Sequence, residues 1–382
     1  MPKKRLMTPG PTQVPQRALL KLAEQTTHHR TPDFRALFEH TTESLRYVFE
    51  TKGDVLLFAS SGTGVMEAAV SSVVVPGEKI LVLESGKFSE RWRHLGERFG
   101  TEVVAYVEPW GVPFSADRVA ELLRENPDVV AVYGTLLETS TGVLHDIEHI
   151  ARAVRENSNA LVIVDGISGV GADRCPMDVW GIDLLVVGGQ KALMGIPGIA
   201  MMGVSSRAWK KIEATPPLGF YFDLSAYRRS AATSDTPFTP PKSLMMALSE
   251  SLDLFREEGL DNVLNRMTLL AKATRAGVAA LGLELAAERP ANGMTAVRIP
   301  EMIDGKAFLT RLEERFGLKF AGGQGDWKGR IFRIAHMGII DELDVISALA
   351  GVEMVLAELG YDVQWGSAVA AAERVFHQRS EA

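Results

Sequence analysis

Lys191 stands where the surrounding residues predict the end of a buried strand. The stretch VVGGQKALMGIPG (residues 186–198) runs from apolar residues through two glycines and a glutamine to this lysine. Lysine is almost never fully buried unless it is paired. Its ammonium group can reach water along the apolar stem, or a desolvated amine can lose its proton and attack a carbonyl carbon to form a Schiff base. The lysine alone does not decide between these interpretations.

Asp165 closes an earlier apolar run, ALVIVDG (residues 160–166). A carboxylate at this position can cap the turn that follows. It can also hold the protonated ring nitrogen of a pyridine cofactor, because an opposite charge nearby favours the charged form of each group. A protonated ring is what makes pyridoxal phosphate an electron sink. Both interpretations stay open for the aspartate taken alone.

Two segments of small and hydroxyl residues, SSGTG (60–64) and ETSTG (138–142), follow other apolar runs. SSGTG precedes a helical pattern, and the N–H groups and dipole of a helix start favour an anion such as phosphate. The alternative is an ordinary serine-capped helix start. The chain lacks the P-loop pattern, and no G-x-G-x-x-G follows the first strand. Phe88 follows the second strand, and its ring can enter the core or stack on a flat cofactor.

These four features fit one molecule. Pyridoxal phosphate needs a Schiff-base lysine, a carboxylate at the ring nitrogen, a phosphate site at a helix start and a stacking group. Candidates for all four stand at predicted strand ends. The combination therefore favours pyridoxal phosphate chemistry over the simpler interpretation of each residue.

A metal site is the alternative chemistry that the histidines suggest. HDIEH (residues 145–149) places two histidines four residues apart, but it is not H-E-x-x-H and it lacks a third ligand. The adjacent histidines of HHR (residues 28–30) would point to opposite sides of an extended chain. We therefore expect no metal.

The elements that must position these residues alternate along the chain. Short apolar runs are separated by amphipathic helical patterns, which predicts an α/β fold with a mainly parallel sheet covered on both faces. We expect strands at 54–60, 79–85, 101–108, 129–135, 160–166, 183–189 and 199–205. Ligands of such sheets bind at the carboxyl ends of the strands. The candidate residues follow those ends.

The alternation stops after residue 205. Residues 214–242 are rich in proline, aromatic and hydroxyl residues and predict a long irregular segment. Helical patterns at 243–260 and about 261–281, and strands near MTAVRIP and RIFRIAHMG, predict a smaller α+β unit. We divide the chain into an N-terminal arm (1–20), a large α/β domain (21–255) and a small C-terminal α+β domain (256–382).

Composition and charge exclude several classes of protein. The 382 residues are 46% hydrophobic and 23% charged, as in ordinary soluble globular proteins. A net charge of −7 does not suit a nucleic-acid binder, and no run approaches the ~20 apolar residues of a membrane span. No secretory signal is evident, and a single cysteine, Cys175, suits a reducing cytosol. We expect a cytoplasmic protein without nucleic-acid or membrane partners.

Taken together, the motifs resemble the class V aminotransferases of fold type I, most closely the alanine–glyoxylate and serine–pyruvate aminotransferase group. The resemblance runs through nearly the whole chain, in MTPGPTQVP, HHRTPDF, SSGTGVMEAAVSSVVVPGEKILV, ETSTGV, VDGISGVG, GGQKALMGIPG, FYFDL, TPFTPP and FRIAHMG. It implies a pyridoxal-phosphate-dependent transferase with a mainly parallel large domain and a smaller α+β C-terminal domain.

The resemblance implies a role for each candidate residue. Lys191 would carry pyridoxal phosphate, Asp165 would bind its ring nitrogen, and Phe88 would stack on it, where some relatives carry tryptophan. The remaining cofactor contacts would be Ser61, Gly62, Thr63 and Gln190 at the phosphate, and Thr139 and Ile167 near the ring. Arg333 would bind the substrate carboxylate, with Gly10 also at the substrate. Many relatives carry serine where this chain has Gly189, which removes one hydroxyl near the phosphate.

The resemblance also implies a homodimer with shared active sites. In relatives the segment TPFTPP reaches across the dimer interface, so Thr236 and Thr239 would contact the phosphate in the partner subunit. Two-fold pairing is also the commonest assembly of soluble proteins.

The number of arginines in the pocket limits how many carboxylates the substrate can carry. Arg333 can grip an α-carboxylate with two parallel hydrogen bonds, and both the amino donor and the oxo-acid acceptor carry one. A dicarboxylic substrate needs a second cation, and nothing in the sequence places Arg30, Arg228 or Arg229 in the pocket. We therefore predict alanine or serine as donor and glyoxylate or pyruvate as acceptor.

Two alternatives remain for the reaction. An aspartate or phosphoserine aminotransferase of the same family would share these motifs. A cysteine desulfurase-like lyase is less favoured, because that reaction needs a thiol on a mobile loop and Cys175 lies ten residues after Asp165.

Overall fold

The structure is a computed structural model that describes residues 2–378. The strands are β1 Arg5–Leu6, β2 Asp54–Phe58, β3 Lys79–Glu84, β4 Glu102–Val107, β5 Val129–Thr135, β6 Leu137–Glu138, β7 Val143–Leu144, β8 Leu161–Asp165, β9 Leu184–Gly188, β10 Ala200–Val204, β11 Met294–Arg298, β12 Leu318–Lys319, β13 Ala321–Gly322 and β14 Ile331–Ala335. The α-helices are α1 Gln16–Lys21, α2 Pro32–Phe49, α3 Gly62–Ser71, α4 Glu90–Arg98, α5 Ala116–Glu125, α6 Ile147–Asn157, α7 Met177–Trp180, α8 Ser206–Ala214, α9 Leu224–Ala231, α10 Lys242–Glu258, α11 Leu260–Ala280, α12 Gly305–Phe316, α13 Glu342–Glu358 and α14 Ser367–Gln378.

A seven-stranded sheet forms the centre of the N-terminal two thirds of the chain, in the order β2-β10-β9-β8-β5-β3-β4. Strands β4, β3, β5, β8 and β9 pair in parallel, whereas β10 is antiparallel to both β9 and β2. The predicted α/β fold with a mainly parallel sheet is confirmed. A parallel crossover is usually an α-helix, and residues 189–199 between β9 and β10 contain none.

Apolar side chains cover both faces of this sheet. Leu81 and Leu185 pack in a core cluster on one face, and their chain neighbours Ile80 and Val186 pack on the other together with Trp92. Successive side chains of a strand point to opposite faces. Burial on both faces explains why these strands are nearly continuous apolar runs in the sequence.

The parallel strands bring their carboxyl ends to one edge of the sheet. Strands β3, β5, β8 and β9 end at Glu84, Thr135, Asp165 and Gly188. The segments that follow these ends carry Phe88, the ETSTG motif and Lys191. The periodicity that predicted the strands therefore also positions the candidate site.

Two details of the sequence interpretation are corrected. Residues 214–242 are not irregular throughout: helix α9 forms within them, and the Asp223 side chain at its start accepts a hydrogen bond from Ser225 N at 2.9 Å. The ETSTG motif does not end a strand of the large sheet. It forms the turn of a separate antiparallel hairpin, β6 with β7.

The C-terminal third carries its own antiparallel sheet, β11-β14-β13, with α12, α13 and α14. The N-terminal arm contributes to this part, because β1 pairs in parallel with β12 and Met7 packs in the same core cluster as Phe332. The boundaries near residues 20 and 255 stay predictions. No helix within residues 2–378 is long and apolar enough to cross a membrane.

Candidate active site

Lys191 follows β9 at the carboxyl edge of the sheet, and its amine is largely withdrawn from water. Its Nζ donates a hydrogen bond to the carbonyl oxygen of Pro9 at 2.7 Å. Burial lowers the pKa of the amine to about 8, while the Asp165 charge acts to raise it and the Arg333 charge to lower it. Near neutral pH the amine is therefore neutral in a much larger share of molecules than an ordinary lysine.

The N-terminal arm covers this lysine. Thr12 donates from its amide to the Gln190 carbonyl at 3.2 Å and from its hydroxyl to the Lys191 carbonyl at 2.8 Å. Gly10 has φ +126°, a region that favours glycine, and a Cβ there would overlap the Lys191 side chain. Gly10, predicted at the substrate, thus lies directly against the amine.

Asp165 ends β8 with only 4% of its surface exposed. Its Oδ1 accepts a hydrogen bond from Ile167 N at 2.8 Å. Burial raises the pKa of the carboxyl group to about 7, although the Ile167 hydrogen bond acts to lower it. A cation placed beside this carboxyl group would restore its ionised form.

The residues predicted near the cofactor ring join Asp165 to the neighbouring segments. The buried Thr139 hydroxyl donates to the Ser168 hydroxyl at 2.6 Å. Ile167 packs against the start of α3, where a Cβ on Gly62 would overlap the Ile167 side chain. A larger residue in place of Gly62 would therefore displace the Ile167 side chain.

The start of α3 has unused hydrogen-bond donors. The Ser61 side chain does not cap the helix, and no acidic residue lies in its first turn. Within the described part of the chain, the amide N–H groups of Gly62 and Thr63 donate to no protein atom. The side-chain oxygen of Gln190 is buried without a partner, and the amide can present its N–H instead by flipping. These groups suit an anion bound from outside the chain.

Gly189, where the resemblance implies a serine, is held by backbone contacts. Its amide donates to the Ile199 carbonyl at 3.1 Å, and its carbonyl accepts from Gly195 N at 2.7 Å. A Cβ on Gly189 would stand 3.0 Å from Ile199 Cγ2. The tight packing fits the absence of a side chain here.

Phe88 is held by a buried carboxylate that the sequence analysis did not single out. Glu138 Oε2 accepts from Phe88 N at 3.1 Å and from Ser89 N at 2.7 Å. Glu138 Oε1 accepts from the amide and hydroxyl of Ser140 at 3.0 and 2.6 Å. Glu138 has no exposed surface, so these four hydrogen bonds replace its hydration. Two of them hold the backbone of the loop that carries Phe88, whose ring centroid lies 5.9 Å from Lys191 Nζ.

Arg333 on β14 brings the C-terminal part of the chain to the same edge. Its Nη1 donates to the Thr139 carbonyl at 2.7 Å, and its Nε and Nη2 donate to the Gly322 carbonyl at 3.0 and 2.6 Å. Burial lowers the pKa of the guanidinium to about 10, and the Glu138 charge acts in the opposite direction. Three of five N–H groups are used, so one on each Nη stays free for a carboxylate.

The other chemical candidates lie apart from this arrangement. The buried His145 accepts from Phe114 N at 3.2 Å through Nδ1 and pairs with the Ser85 hydroxyl at 2.9 Å through Nε2. His149 lies beside Asp146 on α6, so the two histidines do not converge. Residues 2–378 contain no cluster of three metal-ligating side chains. Cys175 is buried, and burial raises the pKa of its thiol.

The residues predicted to act in a partner subunit, Thr236 and Thr239, lie in one cluster with Ala59, which directly precedes the SSGTG motif. Thr236 donates to the Phe238 carbonyl at 2.7 Å, and Thr239 is exposed. Nearby, the Tyr221 hydroxyl donates to the Ala59 carbonyl at 3.4 Å, and Phe220 has 84% of its surface exposed.

Sequence comparisons decide the family. Residues 6–325 match the model of the family described as aminotransferase class-V. The chain belongs to the class-V aminotransferases. It is an enzyme of transaminase type.

Several relatives of this aminotransferase match over nearly its full length. They are the soluble hydrogenase 42 kDa subunit of Anabaena cylindrica (40% identical, 97% of this chain and 98% of that one), the L-aspartate–glyoxylate aminotransferase of Paracoccus denitrificans (35%, 99% and 97%) and the serine–glyoxylate aminotransferase of Methylorubrum extorquens (36%, 96% and 94%). The solved ureidoglycine–glyoxylate aminotransferase of Bacillus subtilis superposes with a TM-score of 0.93 at 30% identity, covering 99% of both chains.

We predict that E138Q destabilises the aminotransferase. Both carboxylate oxygens accept from backbone N–H groups, so the single oxygen of the amide can satisfy only one side. The N–H groups of the amide would face backbone donors on the other side, which leaves buried donors unpaired at about 1–3 kcal/mol. Urea unfolding should show a lower midpoint for E138Q. E121Q, an exchange at an exposed glutamate on α5, is the control and should stay within about 0.5 kcal/mol of the wild type. Equal midpoints for all three proteins would contradict the role of Glu138.

Proposed function

We propose that this aminotransferase uses pyridoxal phosphate bound to Lys191 and transfers the amino group of alanine or serine to glyoxylate or pyruvate. The observation that carries the proposal is the buried, weakly basic amine of Lys191 at one strand end together with the buried carboxyl group of Asp165 at the next. A reactive amine and a carboxyl group of raised pKa in one pocket are typical of a catalytic site.

The residues present fit this cofactor. Lys191 would bind its aldehyde, Asp165 its ring nitrogen and Phe88 one face of its ring. The phosphate would take the free N–H groups at the start of α3 and the Gln190 side chain, with Thr139 and Ile167 beside the ring. The cofactor, when bound, supplies the electron sink for the bonds at the substrate Cα.

The chain's own residues supply acid–base chemistry and electrostatics. The Lys191 amine can take up a proton and return it, because burial brings its pKa to about 8, close to the pH at which cytoplasmic enzymes work. The pKa of the Asp165 carboxyl group is raised to about 7. A protonated ring nitrogen beside it would lower this pKa and keep the carboxylate ionised. The arm over Lys191 and the Phe88 ring limit the access of water to these groups.

The small-substrate part of the proposal is supported by where the arginines lie. Arg333 has one free N–H group on each Nη, which suits a single α-carboxylate. Arg228 pairs with Glu213 and with Asp54, the latter at 3.4 Å. Arg229 lies 3.8 Å from Asp223, and Arg30 is exposed. None of these three is free in the pocket to bind a second carboxylate. Arg91, whose charge also reaches Lys191, is left for the cofactor phosphate.

Aspartate and phosphoserine remain the alternative donors, and the relative from Paracoccus denitrificans named L-aspartate–glyoxylate aminotransferase favours keeping aspartate. The lyase alternative is not supported, because a thiol that accepts sulfur must be accessible and Cys175 is only 4% exposed. We also propose a cytoplasmic location, which a single buried cysteine fits.

We predict that alanine and serine convert the bound cofactor to its amine form faster than aspartate and phosphoserine do. The measurement is the change in cofactor absorbance in single half-reactions with each donor. R333K should weaken all donors alike, because a point charge cannot reproduce a bidentate grip. R330K, at the exposed neighbour of the same segment, is the control. Faster conversion by aspartate or phosphoserine would overturn the small-substrate proposal.

The shared-site homodimer is also part of the proposal, with Thr236 and Thr239 at the partner's phosphate. It is supported by a group of aromatic side chains at these threonines, in which the exposed Phe220 and Tyr221 pack against Phe238, since a contiguous exposed apolar patch favours an interface. We predict that sedimentation gives twice the mass of one chain and that F220S weakens the assembly. V179S, at a residue 82% exposed elsewhere on the surface, should leave it unchanged. A fully active monomer would rule out the shared site.

A further inference from the structure

Arg91 lies at the edge of the proposed cofactor site, and no sequence motif assigns it a role. It is the second residue of α4, and its side chain reaches across to α3, where Nη1 donates to the Thr63 hydroxyl at 2.9 Å. Its guanidinium carbon lies 5.4 Å from the centroid of the Phe88 ring. Arg91 therefore contacts two of the residues that surround the proposed cofactor.

The charge of Arg91 has no partner in the described chain. Among residues 2–378, no carboxylate comes within 4 Å of its guanidinium nitrogens. The contrast with Arg93, two residues further along α4, is clear: Arg93 pairs with Glu84 at 2.9 Å and with Glu97 at 3.3 Å. Arginine has five donors in a planar fork, and within residues 2–378 the Thr63 hydroxyl is the one acceptor that those of Arg91 reach.

Arg91 is placed to bind the anionic end of an elongated ligand whose other end reaches Lys191. The Arg91 charge acts to lower the pKa of both Lys191 and Asp165, so it faces the same pocket. Lys191 Nζ and the Arg91 guanidinium both lie within 6 Å of the Phe88 ring centroid, at 5.9 and 5.4 Å. A flat molecule on this ring can place an aldehyde toward Lys191 and an anion toward Arg91.

The start of α3 lacks the charge that a phosphate monoester needs. Such a group carries about −1.5 to −2 charges at neutral pH, whereas a helix start supplies roughly half a positive charge. The two free N–H groups at Gly62 and Thr63 add donors but no net charge. Arg91, which donates a hydrogen bond to the Thr63 hydroxyl, is a nearby cation that can supply the missing positive charge.

We propose that Arg91 binds the phosphate of pyridoxal phosphate, together with the Thr63 hydroxyl that it holds and the free N–H groups at the start of α3. The inference rests on the proposed function, because it names a residue of the same cofactor site. Arg91 thus contributes to the binding of the phosphate group and takes no part in the chemistry at the aldehyde.

The test compares pyridoxal phosphate with pyridoxal, which lacks the phosphate. Both are titrated into cofactor-free wild type, R91Q, R91K and the control R93Q, and dissociation constants are read from cofactor absorbance. R91Q should weaken pyridoxal phosphate at least about tenfold, as expected for loss of a charge-assisted hydrogen bond, and leave pyridoxal unchanged. R91K should recover part of the loss, and R93Q should bind both like the wild type. Inorganic phosphate should compete for the wild type and less well for R91Q.

Each failure has a distinct meaning. If the wild type does not bind pyridoxal phosphate, the proposed function fails. If the wild type binds it and R91Q weakens both ligands equally, or neither, the inference about Arg91 is wrong. A rise in KM for aspartate alone, with unchanged cofactor affinity, would assign Arg91 to a substrate carboxylate and also overturn it. Thermal unfolding of each variant shows whether it is folded under the conditions of the titration.

Discussion

Burial of the Lys191 amine is the constraint on which the rest of the site depends. An ammonium group taken out of water loses hydration, and the pKa falls to about 8 because the neutral form is then favoured. The fold produces this burial from three directions: β9 delivers the lysine, the N-terminal arm covers it with the Pro9 carbonyl, and the Phe88 ring lies below it. Gly10 is the residue that lets the arm approach so closely.

Glu138 holds the walls of this pocket together. Its carboxylate joins the loop that carries Phe88 to the hairpin that carries Thr139, and Thr139 in turn accepts from Arg333 through its carbonyl. The carboxylate also places a negative charge near the Arg333 guanidinium, which favours the charged form of that arginine in a buried place. A single buried acid thus links the stacking ring and the carboxylate-binding arginine without facing solvent.

The sequence predicted the parts of this site that follow from the sheet. Lys191 and Asp165 could be found because apolar runs mark parallel strands, and the ends of such strands meet at one edge. Arg333 and Gly10 came from resemblance to a family, since their contacts join distant parts of the chain. Glu138 was missed because an acid within ETSTG is typical of a polar turn, and only the fold shows that it is buried.

Arg91 and helix α9 were missed for related reasons. Arg91 belongs to a helix of many charged residues, where arginine is usually solvated, and its lack of a carboxylate partner is visible only in three dimensions. Helix α9 lies in a segment whose prolines and aromatic residues predict irregular backbone, yet Leu224 and Tyr227 are buried against the large sheet. Tertiary packing overrode the local preference there.

The role of Lys191 is tested most directly by aldehyde capture in the cofactor-free protein. The measurement identifies which lysine reacts and how its reaction rate depends on pH. Pyridoxal phosphate is added across a pH series, the adduct is reduced with borohydride, and the modified peptide is identified by mass spectrometry. We expect one adduct, on Lys191, with a capture rate that rises through about pH 8, where the amine loses its proton, and no adduct at this position in K191A. Lys87, a half-exposed lysine beside the same loop, should remain unmodified. Modification spread over surface lysines, or capture at Lys191 that begins only near the ordinary lysine value of 10.5, would contradict this role of Lys191.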